Sequence, residues 1–186
     1  MATAPTYITS VVNPIGANIS HFDPNEICKL SVLNLTKVTE KLFSSGQPTS
    51  GELEALHHYG IECVINLIPE TSEQWKKEEA VKLKRLGVVL HKLPIVGKEG
   101  VTFENALALR KLLDDAKDQP TLLHCATGNR NGALKALIEF LENGQDSERA
   151  IIEGKRWGLT KLENHVREVL DTEKQQQAFS SQYKLN

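Results

Sequence analysis

Apolar positions along this chain follow two alternating patterns. Short runs carrying apolar residues occur at 38–44, 61–67, 88–93 and 121–124, each bounded by glycine or proline. Runs of this length and composition suit strands buried inside a parallel sheet. Between them lie stretches whose apolar residues recur at helical spacing. Leu53 and Leu56 do so over 50–59, with Ser50 as the expected cap and Gly60 as the stop. Trp75, Ala80, Leu83 and Leu86 do so over 73–86, closed by Gly87, and Ala106, Leu109, Leu112 and Leu113 over 103–117, capped by Thr102. Further helices are predicted over 132–142, ended by Gly144, and over about 146–155 and 159–171. A short helix is expected in 23–33, with Asp23 as N-cap and Pro24 in its first position.

Strand alternating with helix predicts a single α/β domain, its central sheet largely parallel and flanked by helices. The domain is expected over 26–172. Residues 1–25, with Pro5, Pro14 and Pro24, read as an extended lead-in, and 173–186 as a polar tail. The chain has 186 residues, long enough for one real core.

A net charge of −2, with 40% hydrophobic and 25% charged residues, describes an ordinary globular chain. It gives no push toward nucleic acid or an anionic membrane. No stretch has the length of a membrane span, and the first residues lack a signal-peptide pattern, so a cytoplasmic location is expected. Cys28, Cys63 and Cys125 are widely spaced, without a C-x-x-C pair, so neither a disulfide framework nor a zinc site is indicated. Cys28 and Cys63 read as inert packing. No metal and no cofactor is expected: His57 and His58 are adjacent and face apart, and His91 and His165 stand alone. Gln47 reads as a turn residue, Asn66 as a holder of loop backbone, and the carboxylate-rich runs at 70–79 and 163–173 as solvated helix faces.

One segment carries chemistry. The strand at 121–124 runs into His124-Cys125-Ala126-Thr127-Gly128-Asn129-Arg130-Asn131-Gly132 and then into a helix. A strand-to-helix turn gathers free backbone N–H groups, and the helix dipole adds positive potential. Gly128 permits the tight turn, and Arg130 supplies a planar fork for two oxygens of an anion. A thiol in that field is held toward the nucleophilic thiolate. Cys125 is therefore the candidate nucleophile and Arg130 the anion binder. His124 is expected to orient the cysteine through hydrogen bonds.

With these residues in place, the chain resembles the cysteine-dependent dual-specificity and tyrosine phosphatases. More narrowly, it is similar to the bacterial phosphatase-like domain of the beta-lactamase-hydrolase-like family. The likeness rests on SGQPTSGEL at 45–53, GIECVINLIPE at 60–70, HKLP at 91–94, HCATGNRNGAL at 124–134 and AIIEGKRWGL at 150–159. It implies a dual-specificity-phosphatase fold, a hydrolase that cleaves a phosphoester through a phosphocysteine on Cys125, and a loop of Ala126, Thr127, Gly128, Asn129 and Asn131 that cradles the anion. The substrate would be a phosphorylated small molecule or protein, or another oxyanion. Two departures from the broad superfamily stand out. Only four residues separate Cys125 from Arg130, where five are usual, and the shorter spacing is that of rhodanese sulfurtransferases. No aspartate occupies the loop after the strand at 88–93, where a general acid is expected, and Glu99 is the nearby carboxylate. A sulfurtransferase carrying a persulfide on Cys125 and a catalytically weak oxyanion-binding module stay open as alternatives.

Overall fold

The computed structural model describes residues 8–10 and 21–183. Its strands are β1 (Ile8–Ser10), β2 (Thr36–Lys37), β3 (Leu42–Ser45), β4 (Cys63–Asn66), β5 (Val89–Lys92) and β6 (Thr121–His124). Its helices are α1 (Pro24–Ile27), α2 (Ser50–His58), α3 (Lys77–Leu86), α4 (Phe103–Asp115), α5 (Asn129–Glu142), α6 (Ser147–Arg156) and α7 (Glu163–Tyr183). The sheet order is β1-β5-β4-β6-β3-β2. The four inner strands are parallel, and β1 and β2 close the edges antiparallel.

Strand alternation divides the core into two layers, because successive side chains point to opposite faces. Cys63, Ile65 and Leu123 pack with α4, α5, α6 and α7, where Phe140 and Leu109 are fully buried. Val64, Leu122, Phe43 and Leu90 face the other way, against α1, α2 and α3. The expected α/β architecture with a largely parallel sheet is the observed one.

Several boundaries differ from the sequence-based expectation. The run at 38–44 is not one strand. Val38 N–H donates to Leu42 O at 2.9 Å, and Thr39 Oγ1 accepts from Lys41 and Leu42 N–H, so a tight turn separates β2 from β3. The cap of α2 is Thr49, whose side chain and Glu52 form a reciprocal capping box; such a cap contributes about 1 kcal/mol. Residues 73–76 lie outside α3, with Ser72 Oγ accepting from Gln74 N–H. α5 begins at Asn129, three residues before the expected start at Gly132, so Arg130 stands in its first turn. α7 runs on to Tyr183, past the expected end at 171. The expected lead-in over 1–25 falls mostly outside the described residues; within it, Ile8–Ser10 pairs with β5. Asp23 caps α1 as expected, with Pro24 behind it.

Candidate active site

β6 sits in the middle of the sheet between β4 and β3, and its end delivers Cys125 to the carboxyl edge of the parallel strands. Gly128 then adopts φ 85°, a left-handed conformation natural to glycine, and α5 starts at the next residue. A Cβ at Gly128 would meet nothing closer than 3.6 Å, so its backbone conformation, not space, calls for glycine. Gly128 N–H donates to Cys125 Sγ at 3.1 Å, and the cysteine is 1% exposed.

The carbonyls of the loop turn outward. Gln47 N–H donates to Ala126 O at 3.1 Å, and Asn34 Nδ2 donates to Thr127 O at 3.0 Å. Among the described residues, the N–H groups of Ala126, Thr127, Asn129, Arg130 and Asn131 have no protein acceptor. Free donors of this kind at a helix N-terminus are able to receive an anion. Asn129 Oδ1 accepts from Thr160 N–H at 2.9 Å and Leu162 N–H at 3.4 Å, tying the loop to the α6–α7 connection.

Arg130 follows in the first turn of α5. Its Nη1 donates to Ile95 O at 2.8 Å and to Leu67 O at 3.3 Å, and its Nη2 to Gln74 Oε1 at 3.3 Å. The guanidinium is thereby fixed between the ends of β4 and β5. A cleft of about 520 Å³ opens over the loop, lined by Ala126, Thr127, Asn129 and Arg130 on one side and by residues 95–98 on the other. The charged residues of its lining are Lys98 and Arg130, both positive.

The structure brings Cys125, Ala126, Thr127, Gly128, Asn129 and Arg130 together and sets apart Glu99 and the side chains of Asn131 and His124. Glu99 is exposed and does not line the cleft; its carboxylate folds back on Gly97, where a Cβ would stand 2.6 Å from Oε2. Asn131 is fully buried, and its side chain donates to Ser44 Oγ, Ser45 O and Leu123 O, bracing the strand ends. His124 is fully buried as well, its Nε2 2.9 Å from Glu79 Oε1. As strand neighbours, His124 and Cys125 point to opposite faces. Asn66 holds loop backbone as expected, accepting from Ile68 N–H at 2.7 Å.

Glu79 belongs to a run that reads as a solvated face, yet it is 4% exposed. Burial alone would raise its carboxyl. The His124 imidazole and hydrogen bonds from His124, Asn66 and Gln47 outweigh that and hold it below its ordinary value. One signal was present in the sequence: Glu79 lies one helical turn before Leu83 on the inward stripe. Cys28 is exposed, contrary to the expected packing role, because α1 ends at Ile27. Cys63 is buried in β4 as expected; burial pushes its thiol up to about 11, against a smaller downward pull from Thr121. Among the described residues, no group of three or more His, Cys, Asp or Glu is placed to hold a metal. No helix among them is long and apolar enough to cross a membrane.

The chain is similar to known phosphatases by sequence and by fold. Inositol diphosphatase DSP2 of Oryza sativa subsp. japonica is 26% identical over 115 residues, covering 59% of this chain and 55% of that protein. A beta-lactamase hydrolase-like protein of Xylella fastidiosa is 26% identical over 113 residues, covering 59% of this chain and 26% of that one. The match thus spans about half or less of these curated relatives. The core catalytic domain of the PP-IP phosphatase SIW14 from S. cerevisiae, solved with citrate, superposes with a TM-score of 0.56 at 23% identity. That superposition covers 83% of this chain and 95% of the yeast domain. The family described as "DSP-PTPase phosphatase fused to NAD+ Kinase" matches residues 16–181, nearly the whole length, and the chain belongs to it.

Proposed function

We propose that this chain is a cysteine-dependent phosphatase that works through a phosphocysteine on Cys125. The observation that carries the reading is the loop itself: a buried thiol accepting from Gly128 N–H, loop amides without protein acceptors, and a guanidinium pinned to Leu67 O and Ile95 O. Cys125 Sγ attacks phosphorus while the amides of residues 126–130 and Arg130 take up the charge of the non-bridging oxygens. The bond to the leaving oxygen breaks, and water then cleaves the phosphocysteine, releasing inorganic phosphate and the thiolate. His124 and Asn131 act from behind the loop, without touching substrate.

No carboxylate lines the cleft, and Lys98 stands in its wall. This favours leaving groups that depart as anions without a proton, such as the phosphate released from a phosphoanhydride or an aryl oxide. The rice relative, an inositol diphosphatase by name, agrees with that preference. The substrate class proposed is a phosphorylated small molecule or protein carrying such a group.

A second reading has one observation in its favour. The four-residue spacing between Cys125 and Arg130 gives a small cradle, which fits a persulfide sulfur. A side-by-side assay decides. The phosphatase releases phosphate from para-nitrophenyl phosphate and from a diphosphate, and Cys125→Ser reduces turnover to background. A sulfurtransferase instead forms thiocyanate from thiosulfate and cyanide and carries a persulfide mass on Cys125. A weak oxyanion-binding module shows neither activity, yet binds phosphate in a manner lost in Arg130→Ala.

A further inference from the structure

Behind the loop lies a second polar cluster, sealed from solvent. Glu79, His124 and Asn66 are 4%, 0% and 0% exposed. Two donors converge on a single oxygen: Asn66 Nδ2 and His124 Nε2 both lie 2.9 Å from Glu79 Oε1. Gln47 adds a further hydrogen-bonding neighbour to the same carboxylate, and His124 Nδ1 is buried without a hydrogen-bond partner. A desolvated carboxylate among buried polar side chains is weak evidence for stability and points to a role in fixing geometry.

The cluster touches both halves of the anion site. His124 is the residue before Cys125, and its carbonyl accepts from Leu67 N–H at 2.9 Å. Asn66 precedes Leu67, whose carbonyl accepts from Arg130, and it accepts from Ile68 N–H. On the remaining side, Gln47 supplies the backbone N–H that donates to Ala126 O. Glu79 reaches all of this from α3, an element that contributes no residue to the cleft.

We propose that Glu79 is a positioning residue: its carboxylate sets the end of β6 that carries Cys125 and the end of β4 that anchors Arg130 in one register. This rests on the reading of Cys125 as the nucleophile. The action is geometric. Oε1 is the shared acceptor that fixes the distance between the two strand ends at their last paired residues, Asn66 and His124. A glutamine keeps that acceptor, and a flip of the Gln47 amide satisfies its new N–H group. A leucine keeps the volume and leaves both donors without a partner.

The test compares Glu79→Gln, Glu79→Leu and the wild type, with para-nitrophenyl phosphate as substrate and orthovanadate as inhibitor. All proteins carry Cys28→Ser, and rates are normalised to Cys125 titrated by iodoacetamide after size exclusion has removed unfolded chains, so that loss of folded protein is separated from loss of function. Glu79→Leu is expected to lose at least tenfold in kcat per titrated site and to bind vanadate at least fivefold more weakly. Glu79→Gln is expected to stay within threefold of the wild type in both. Wild-type values in Glu79→Leu, or equal damage in Glu79→Gln, overturn the proposal. Should Glu79→Leu not fold, Asn66→Ala cuts the link to Arg130 alone; an unchanged vanadate constant there overturns it too. If the wild type has no phosphatase turnover, the phosphatase reading fails separately. The variants are then compared by the rate of Cys125 alkylation and its protection by vanadate, with the same two outcomes.

Discussion

Gly132 and Gly154 face each other where α5 crosses α6, with no room for a side chain between them. A Cβ on Gly154 would lie 2.7 Å from Gly132 O, and one on Gly132 would collide with Gly154 O and Leu159 N. Both obstacles are backbone, so nothing flexible can move aside. Gly132→Ala is expected to destabilise the fold by about 3 kcal/mol, at the upper end of overpacking costs. Urea unfolding checks this, and a change under 1 kcal/mol would show that the two helices slide apart easily.

The Arg130 fork is held by two carbonyls from different strand ends. Lysine carries the charge but lacks the planar set of donors. Arg130→Lys is expected to weaken phosphate and vanadate binding by about tenfold to a hundredfold, the cost of losing charge-assisted hydrogen bonds. Isothermal titration reads this directly, and unchanged affinity would mean that charge alone suffices.

Glu79 gives the fold an acid sensitivity with a definite sign. Its folded carboxyl lies below the ordinary 4.5. The native state therefore favours the carboxylate more than the unfolded chain does. That stabilisation is complete above the unfolded value and is lost as pH falls through the folded one. Glu79→Gln should flatten the decline of unfolding free energy below pH 4.5. An identical acid slope in both proteins would exclude Glu79 as its source.

Cys63 acts at the opposite end of the pH scale. Its thiol is pushed from 9.0 up to about 11 by burial. The folded state thus resists deprotonation, and stability falls as pH rises from 9.0 toward 11. Cys63→Ala should reduce that alkaline slope, at the cost of a small cavity. Native-state alkylation should modify exposed Cys28 and spare Cys63, with mass spectrometry identifying the labelled thiols.

The strand at 121–124 is legible in the sequence to the residue. An apolar run between a proline turn and a glycine-containing loop leaves few other ways to fold. The placement of Cys125 after a strand end and of Arg130 at the start of a helix is legible for the same reason. Glu79 is not. It follows Lys76, Lys77 and Glu78, and its burial depends on His124, 45 positions further along. The length of α7 is hidden in a similar way, because Gln177, in the polar stretch after 171, is held by Glu173 and by Gln145 of the α5–α6 connection. Asn131 misleads in the other direction: beside an arginine it reads as a substrate contact, whereas its partners belong to β3 and β6. Local pattern reveals what local geometry builds, and pairings across the sheet escape it.

The pinning of Arg130 also bears on the sheet itself. Its two carbonyl holders arrive from the ends of β4 and β5, and its own helix follows β6. The seat of the guanidinium therefore exists only where the ends of β4, β5 and β6 stand side by side. The arginine is in turn a clasp on the sheet, joining three distant stretches of chain against local opening at the carboxyl edge.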